Sequence, residues 1–377
     1  MRSTFAIQAV LAMAPLLALA QAPSGFDDLA RGAEAALDSD PAKAAALYKQ
    51  ALALRPDWPE GWFYYGGALY GLGRYPDALA AFEKGIPLSP KNGTAWAFAG
   101  LCRYELGQYE EALRDIGKGE ELGLGANTGF ETAARQRAAL ILIRSSLFDK
   151  AMAQLQPLTK YQVDSPPVVE AVGLCALADA RPPAKLPEKR RAVVDMAGKA
   201  LWAATSHHPK KAEEGFKTLL AAYPNEPGVH YARGLFLLDL DQAAALAEFR
   251  QEIAANPSHW PSLLVAAFLE TRQGAPERAI EYAAAAKRLA PPSYRWLSDA
   301  ETGRALLAMD QPAKAIAVFQ ESVHLEPGNA QTHFYLEQAY RLAGRKADAL
   351  HEKAEFVRLK SLEDPLSLPG IATGAGH

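Results

Sequence analysis

One small residue returns nine times along this 377-residue chain at nearly constant spacing, and that period constrains the fold more than any other feature. It stands at Ala44, Ala78, Ala112, Ala151, Ala212, Ala245, Ala279, Ala315 and Ala349, with gaps of 34, 34, 39, 61, 33, 34, 36 and 34 residues. Such a period fits one helical hairpin per unit, each burying its apolar face only against its neighbours. With the alanine numbered 20 in its unit, other positions fall into register. Position 8 is small (Gly32, Gly66, Gly100, Gly303), as a close helix crossing requires. Position 4 carries Trp62 and Trp96, and position 24 carries Tyr48, Phe82, Phe216 and Phe319, large rings that fill the space left by the small residues. Position 32 is Pro56, Pro90, Pro224, Pro291 or Pro327, which ends the second helix. Gly73-Arg74-Tyr75, Gly107-Gln108-Tyr109 and Gly344-Arg345-Lys346 mark the turn inside the hairpin.

Period, small pair, aromatic and proline together resemble the tetratricopeptide repeat family, best at 59–92 and 93–126. An alanine-rich bundle without repeats would not phase tryptophan, glycine, phenylalanine and proline together. The resemblance implies an all-α solenoid of helical hairpins wound as a right-handed superhelix. The period places four repeats at 25–165 and five at 193–360. Between them, the 61-residue gap holds Pro182, Pro183 and Pro187, so 166–192 reads as a degenerate repeat or joint, with Val168–Ala180 a first helix whose partner is lost or replaced. Ala286 is expected to tolerate a larger side chain better than Ala78 or Gly100. Pro365, Pro369 and several glycines predict a disordered tail at 361–377.

Residues 1–20 have the layout of a secretory signal peptide: basic Arg2, an apolar run from Phe5 to Leu17, and Ala18-Leu19-Ala20 before Gln21. Cleavage after Ala20 predicts a periplasmic or secreted protein with no stable membrane insertion afterwards. The formal charge of −3 and pI near 6.3 leave no basic footprint for nucleic acid. Cys102 and Cys175 are separated by a whole repeat and are expected to pack as apolar thiols rather than to form a disulfide.

Chemistry-bearing motifs are few. His207-His208 precede Pro209 in a turn without a third metal ligand at usable spacing, and His230 and His333 stand where other units have tryptophan. No nucleophile motif or phosphate-cradling loop is present, so the sequence predicts no enzyme, metal site or cofactor. A catalytic site in 166–205 would have only Glu170, Asp179, Glu188 and basic residues to build on. The resemblance implies instead a binding groove on first-helix positions 2, 5, 9, 12 and 13. Those positions give Phe63, Tyr70, Tyr104, Tyr231, Phe268 and Phe334, with Gln136, Arg144, Arg272, Arg304, Gln338 and Arg341. The family's carboxylate-clamp subset uses Lys and Asn at positions 5 and 9, where this chain has Phe63 and Gly67, or Ala97 and Leu101. The expected function is a non-catalytic envelope scaffold that holds a partner peptide or protein in an aromatic-lined groove. The alternative is an accessory subunit of an exported enzyme or of an envelope or polysaccharide assembly machine.

Overall fold

The computed structural model describes residues 25–161 and 164–362, and every regular element among them is helical. The first eight α-helices are α1 (Phe26–Ala36), α2 (Pro41–Leu54), α3 (Pro59–Gly71), α4 (Tyr75–Gly85), α5 (Gly93–Glu105), α6 (Tyr109–Leu122), α7 (Thr128–Arg144) and α8 (Phe148–Leu155). After α9 (Pro166–Ala176) come α10 (Glu188–Thr205), α11 (Pro209–Ala222), α12 (Val229–Leu237), α13 (Gln242–Ala255), α14 (Trp260–Arg272) and α15 (Pro276–Leu289). The last four are α16 (Arg295–Ala308), α17 (Pro312–Leu325), α18 (Ala330–Leu342) and α19 (Lys346–Leu362). This is the all-α hairpin solenoid that the period requires. The expected leader at 1–20 lies outside the described residues, as does the expected tail beyond Ser361 and Leu362, which complete α19.

The chain divides into two compact units, one of residues 1–142 with 154–163, the other of 143–153 with 164–377. In each unit the repeat positions do what their chemistry demands. Eight of the nine phased alanines are wholly buried, and Ala349 nearly so at 8% exposed. A Cβ at Gly66 would come within 2.8 Å of the Phe82 ring, at Gly100 within 2.8 Å of Ile116, and at Gly303 within 2.6 Å of Phe319. Gly32 is looser, with only Leu47 at 3.4 Å. Tyr48, Phe82, Phe216, Phe249 and Phe319 are among the largest fully buried side chains. Each such ring contributes about 1.5–3 kcal/mol relative to exposure.

The tryptophan and proline positions turn out to be one device. Trp62 donates its indole N–H to the Pro56 carbonyl (2.8 Å), and Trp96 does the same to Pro90 (3.1 Å). His333 sets Nε2 3.1 Å from the Pro327 carbonyl, again six residues earlier. The ring thus satisfies an orphan carbonyl where one hairpin ends and the next begins. Gly73, Gly107 and Gly344 take φ of 72°, 77° and 75° in the turns, the left-handed conformation that caps the first helix. His207 occupies the corresponding turn between α10 and α11 with φ 61°, which makes it a turn residue.

Residues 166–192, expected as a joint, lie inside the second unit and are firmly tied. Helix α9 is not left without a partner: it packs closely on α10, backbone to backbone. A Cβ at Gly173 would stand 2.0 Å from the Val194 carbonyl oxygen, and one at Gly198 2.1 Å from that of Val169. Pro182, Pro183 and Pro187 do interrupt the helix, but the connection is anchored by buried Leu177 and Leu186 and by a buried ion pair. The Asp179 carboxylate accepts from Arg190 Nε (2.8 Å) and from Arg181 Nε (2.8 Å), and Arg190 Nη1 also donates to the Pro227 carbonyl (2.8 Å). Ala286, expected to be tolerant, is wholly buried against Leu263 and Leu264, because α15 is covered on that side by α14.

Candidate protein-binding surface

In the first unit, α3, α5 and α7 bring the expected aromatic positions toward one another. Phe63 is half-buried and meets Phe82 and Phe98 edge to face at 6.1 and 5.8 Å. Tyr70 packs edge-on against Phe98 (5.7 Å) and Tyr75 (5.3 Å). Burial pushes its phenol up, with Glu105 adding to the shift and Arg137 opposing it. Tyr104 is likewise half-buried: it meets Tyr109 at 5.7 Å and carries the Arg137 guanidinium 5.2 Å above its ring. Arg137 lies 3.6 Å from Glu105 and donates to Gln136. Its Nε is buried without a hydrogen-bond partner among the described residues. Tyr70, Tyr104, Glu105 and Arg137 therefore form one mixed aromatic and charged patch, to which Gln136, only 4% exposed, contributes as the acceptor for Arg137.

Arg137 is the residue that the repeat register missed. Arg137 stands at position 6 counted from Ala151, one place after the expected Gln136, and so falls just outside the positions that the resemblance assigns to the groove. Arg144, at the end of α7, is exposed and belongs to the second unit.

The second unit places its expected residues differently. Tyr231 is only 2% exposed; it packs against Phe249 (5.8 Å) and His259 (4.9 Å) and is a core ring, not a groove ring. Phe268 is 7% exposed beneath two guanidinium groups, Arg304 at 4.5 Å and Arg272 at 5.5 Å. Arg304 also covers Tyr335 at 5.1 Å and pairs with buried Glu301 at 2.8 Å. Burial raises the Glu301 carboxyl and Arg304 opposes that rise, so this arginine is a packing element between α14, α16 and α18. Phe334 is half-buried against Phe356 (5.5 Å) and Tyr335 (5.3 Å). Arg341 is largely exposed, with Glu337 at 3.8 Å. The accessible remainder in this unit is Phe334 and Arg341.

Titratable groups in both units are shaped by burial more than by chemistry. Cys102 and Cys175 are buried free thiols, the first pushed up to about 12 and the second also upward, which suppresses thiolate. His230 sets Nδ1 2.6 Å from Glu248 and His333 sets Nδ1 2.6 Å from Glu352, so both rings link the two helices of their own hairpins. The hydrogen bond to Glu248 raises the His230 pKa against the effect of burial. Among the described residues no group of three or more His, Cys, Asp or Glu is placed to hold a metal ion, and no helix is long and apolar enough to cross a membrane.

The tetratricopeptide repeat model matches residues 29–93, 72–121 and 301–355. Among curated proteins, no sequence matches this chain. Solved structures with similarity include one described as a crystal structure of MamA protein, 16% identical, covering 48% of this chain and 99% of that one with a TM-score of 0.40. Another is MamA from Desulfovibrio magneticus RS-1, residue 41 to the end, 20% identical over 47% of this chain and 98% of that one, with a TM-score of 0.41. A third is MamA MSR-1, 16% identical over 45% and 98% respectively, with a TM-score of 0.38.

Proposed function

We propose that this chain is a non-catalytic protein–protein interaction scaffold of the cell envelope, exported by cleavage after Ala20. Its partner is a polypeptide held against the first helices of its repeats. The observation that carries this reading is the patch of Tyr70, Tyr104, Glu105 and Arg137, in which a partly accessible ring is pre-ordered by a guanidinium above it. Aromatic rings offer large contact area at small conformational cost, and a stacked arginine adds orientation. Phe63, Phe334 and Arg341 extend the same use of first helices, whereas Tyr231, Phe268 and Arg304 support the face from within. The mechanism is docking alone, with no covalent step.

The test is a photo-crosslinking side chain at position 104, compared in cells with one at Leu350, which is 69% exposed on α19, a second helix. The reading expects a polypeptide adduct at 104 and none at 350. Equal labelling at both positions, or none at 104, would overturn it. Amino-terminal sequencing of the purified cellular protein tests export separately, with Gln21 as the expected first residue.

A further inference from the structure

Three times in this chain a buried ring at position 24 stacks on a ring sixteen residues later, in the next first helix. The pairs are Tyr48–Tyr64 (5.9 Å, 20° between planes), Phe82–Phe98 (5.3 Å, 8°) and Phe319–Tyr335 (6.0 Å, 11°). In two of the three the chain itself covers the second ring. Phe130 lies on Phe98 at 4.3 Å. The Arg304 guanidinium lies on Tyr335 at 5.1 Å, and Glu301, one turn earlier on α16, holds it at 2.8 Å.

The first pair is stacked like the third, but among the described residues no cation lies over its second ring. Helix α1 stands to α3 in the repeat as α16 stands to α18, but Ala30 occupies the position of Glu301; the carboxylates of Asp27 and Glu34 line the space from other positions on α1. Ala33 occupies the repeat position of Arg304, so no side chain from α1 reaches over Tyr64 in that manner. What remains is an open cleft of about 420 Å³ lined by Asp27, Arg31, Glu34, Tyr48, Trp58 and Tyr64. Arg31 leaves it usable, because its guanidinium is turned to Asp28 at 2.5 Å and is largely exposed. Tyr48 is 1% exposed and is one of the residues lining the cleft. Glu34 lines the same cleft as the two rings; burial raises both phenols, and the Glu34 charge adds to the rise in each.

We propose that the cleft between α1 and α3 binds the guanidinium of an arginine side chain of a partner polypeptide. Tyr64 supplies the ring face, Glu34 the carboxylate that Glu301 supplies to Arg304, and the Tyr48 hydroxyl an acceptor for a remaining N–H. Arginine fits better than lysine because its planar group stacks and donates in its own plane at once. The site is separate from the patch around Tyr104, so either can fail without the other.

The test titrates the full chain with N-acetyl-arginine methylamide and follows the Trp58 indole signal by NMR, assigned through Trp58→Phe. The neutral isostere N-acetyl-citrulline methylamide is the comparison. Binding is expected to be saturable, about tenfold weaker for citrulline and about tenfold weaker in Glu34→Gln, whose carboxylate is exposed and whose loss spares the core. Tyr104→Ala should leave the arginine titration unchanged. Absence of a saturable shift, equal binding of citrulline, or an unaltered titration in both Glu34→Gln and Asp27→Asn would overturn the assignment.

Discussion

Replacing Gly173 by alanine should destabilise the second unit, although alanine is the better helix former. The added Cβ would lie 2.0 Å from the Val194 carbonyl oxygen and 2.8 Å from its carbon. Carbon–oxygen contacts settle at about 3.3 Å or more, so α9 and α10 would have to part by roughly 1.3 Å. The obstacle is helix backbone, which cannot swing aside as a side chain can. A gap of that size forfeits about half of the dispersion energy along the crossing, which is lined by wholly buried Val168, Val172, Val193 and Ala197. Overpacking of this kind costs about 1–3 kcal/mol and sometimes more, whereas the gain in helix propensity returns only about 1 kcal/mol. The expected net loss is about 1 kcal/mol, and about 2 where the overpacking cost reaches the top of its range. Gly117→Ala is the control, because nothing lies within 4 Å of its Cβ position, and it should stabilise by about 0.5–1 kcal/mol. Urea denaturation followed by circular dichroism gives the balance, and hydrogen exchange in α9 and α10 localises it. Equal stability of Gly173→Ala and Gly117→Ala would refute the backbone-contact argument.

Arg190→Met should cost about 3–5 kcal/mol in the second unit, since it removes a buried partner of Asp179 and the donor to Pro227, and urea midpoints measure it. Burial works to raise Asp179, but hydrogen bonds from Arg181 and Arg190 hold it below its ordinary 3.8. Its contribution is therefore present above that value and lost as pH falls through the depressed one, and Asp179→Asn should flatten the acid limb of stability against pH. His230 runs the other way: its pKa is raised, so its contribution is full below 6.5 and fades as pH climbs through the raised value, a slope that His230→Gln should abolish. Tyr294→Phe removes the hydroxyl that donates to Asp149 and should cost about 1–3 kcal/mol, with a smaller increment when Asp149→Ala is already present.

The alanine period was enough to reveal the hairpins because a residue wholly buried at a helix crossing leaves almost no choice of type. Where the spacing slipped, so did the register. The 33-residue interval before Ala245 puts the tight glycine at Gly234, whose Cβ would meet Phe249 at 2.7 Å, one place later than its equivalents. Arg137 escaped for a different reason: it stands at position 6, beside but not among the positions that the resemblance gives to the groove. Tyr231, Phe268 and Arg304 were assigned to the groove by register alone, which says which helix face a residue occupies but not how deeply its neighbours cover it. The covering atoms come from the next repeat and from the same helix: His259 over Tyr231, Arg304 of α16 over Phe268, and Arg272 one turn on along α14 over that same ring. The proline-rich run at 181–187 read as a break because prolines do stop helices. The Asp179–Arg190 pair that fastens it joins residues eleven apart with no periodic signature.

The most direct test of the scaffold reading is the affinity of the polypeptide crosslinked at position 104, measured by calorimetry against the unaltered chain, Tyr104→Ala, Arg137→Ala and Leu350→Ala. Tyr104 and Arg137 are partly accessible, and helical content should remain unchanged in each variant. The account predicts a loss of at least about tenfold for Tyr104→Ala and for Arg137→Ala, the size expected of a central aromatic and its stacked cation, with Leu350→Ala unaffected. Undiminished affinity in both inner-face variants, with helical content intact, would contradict it.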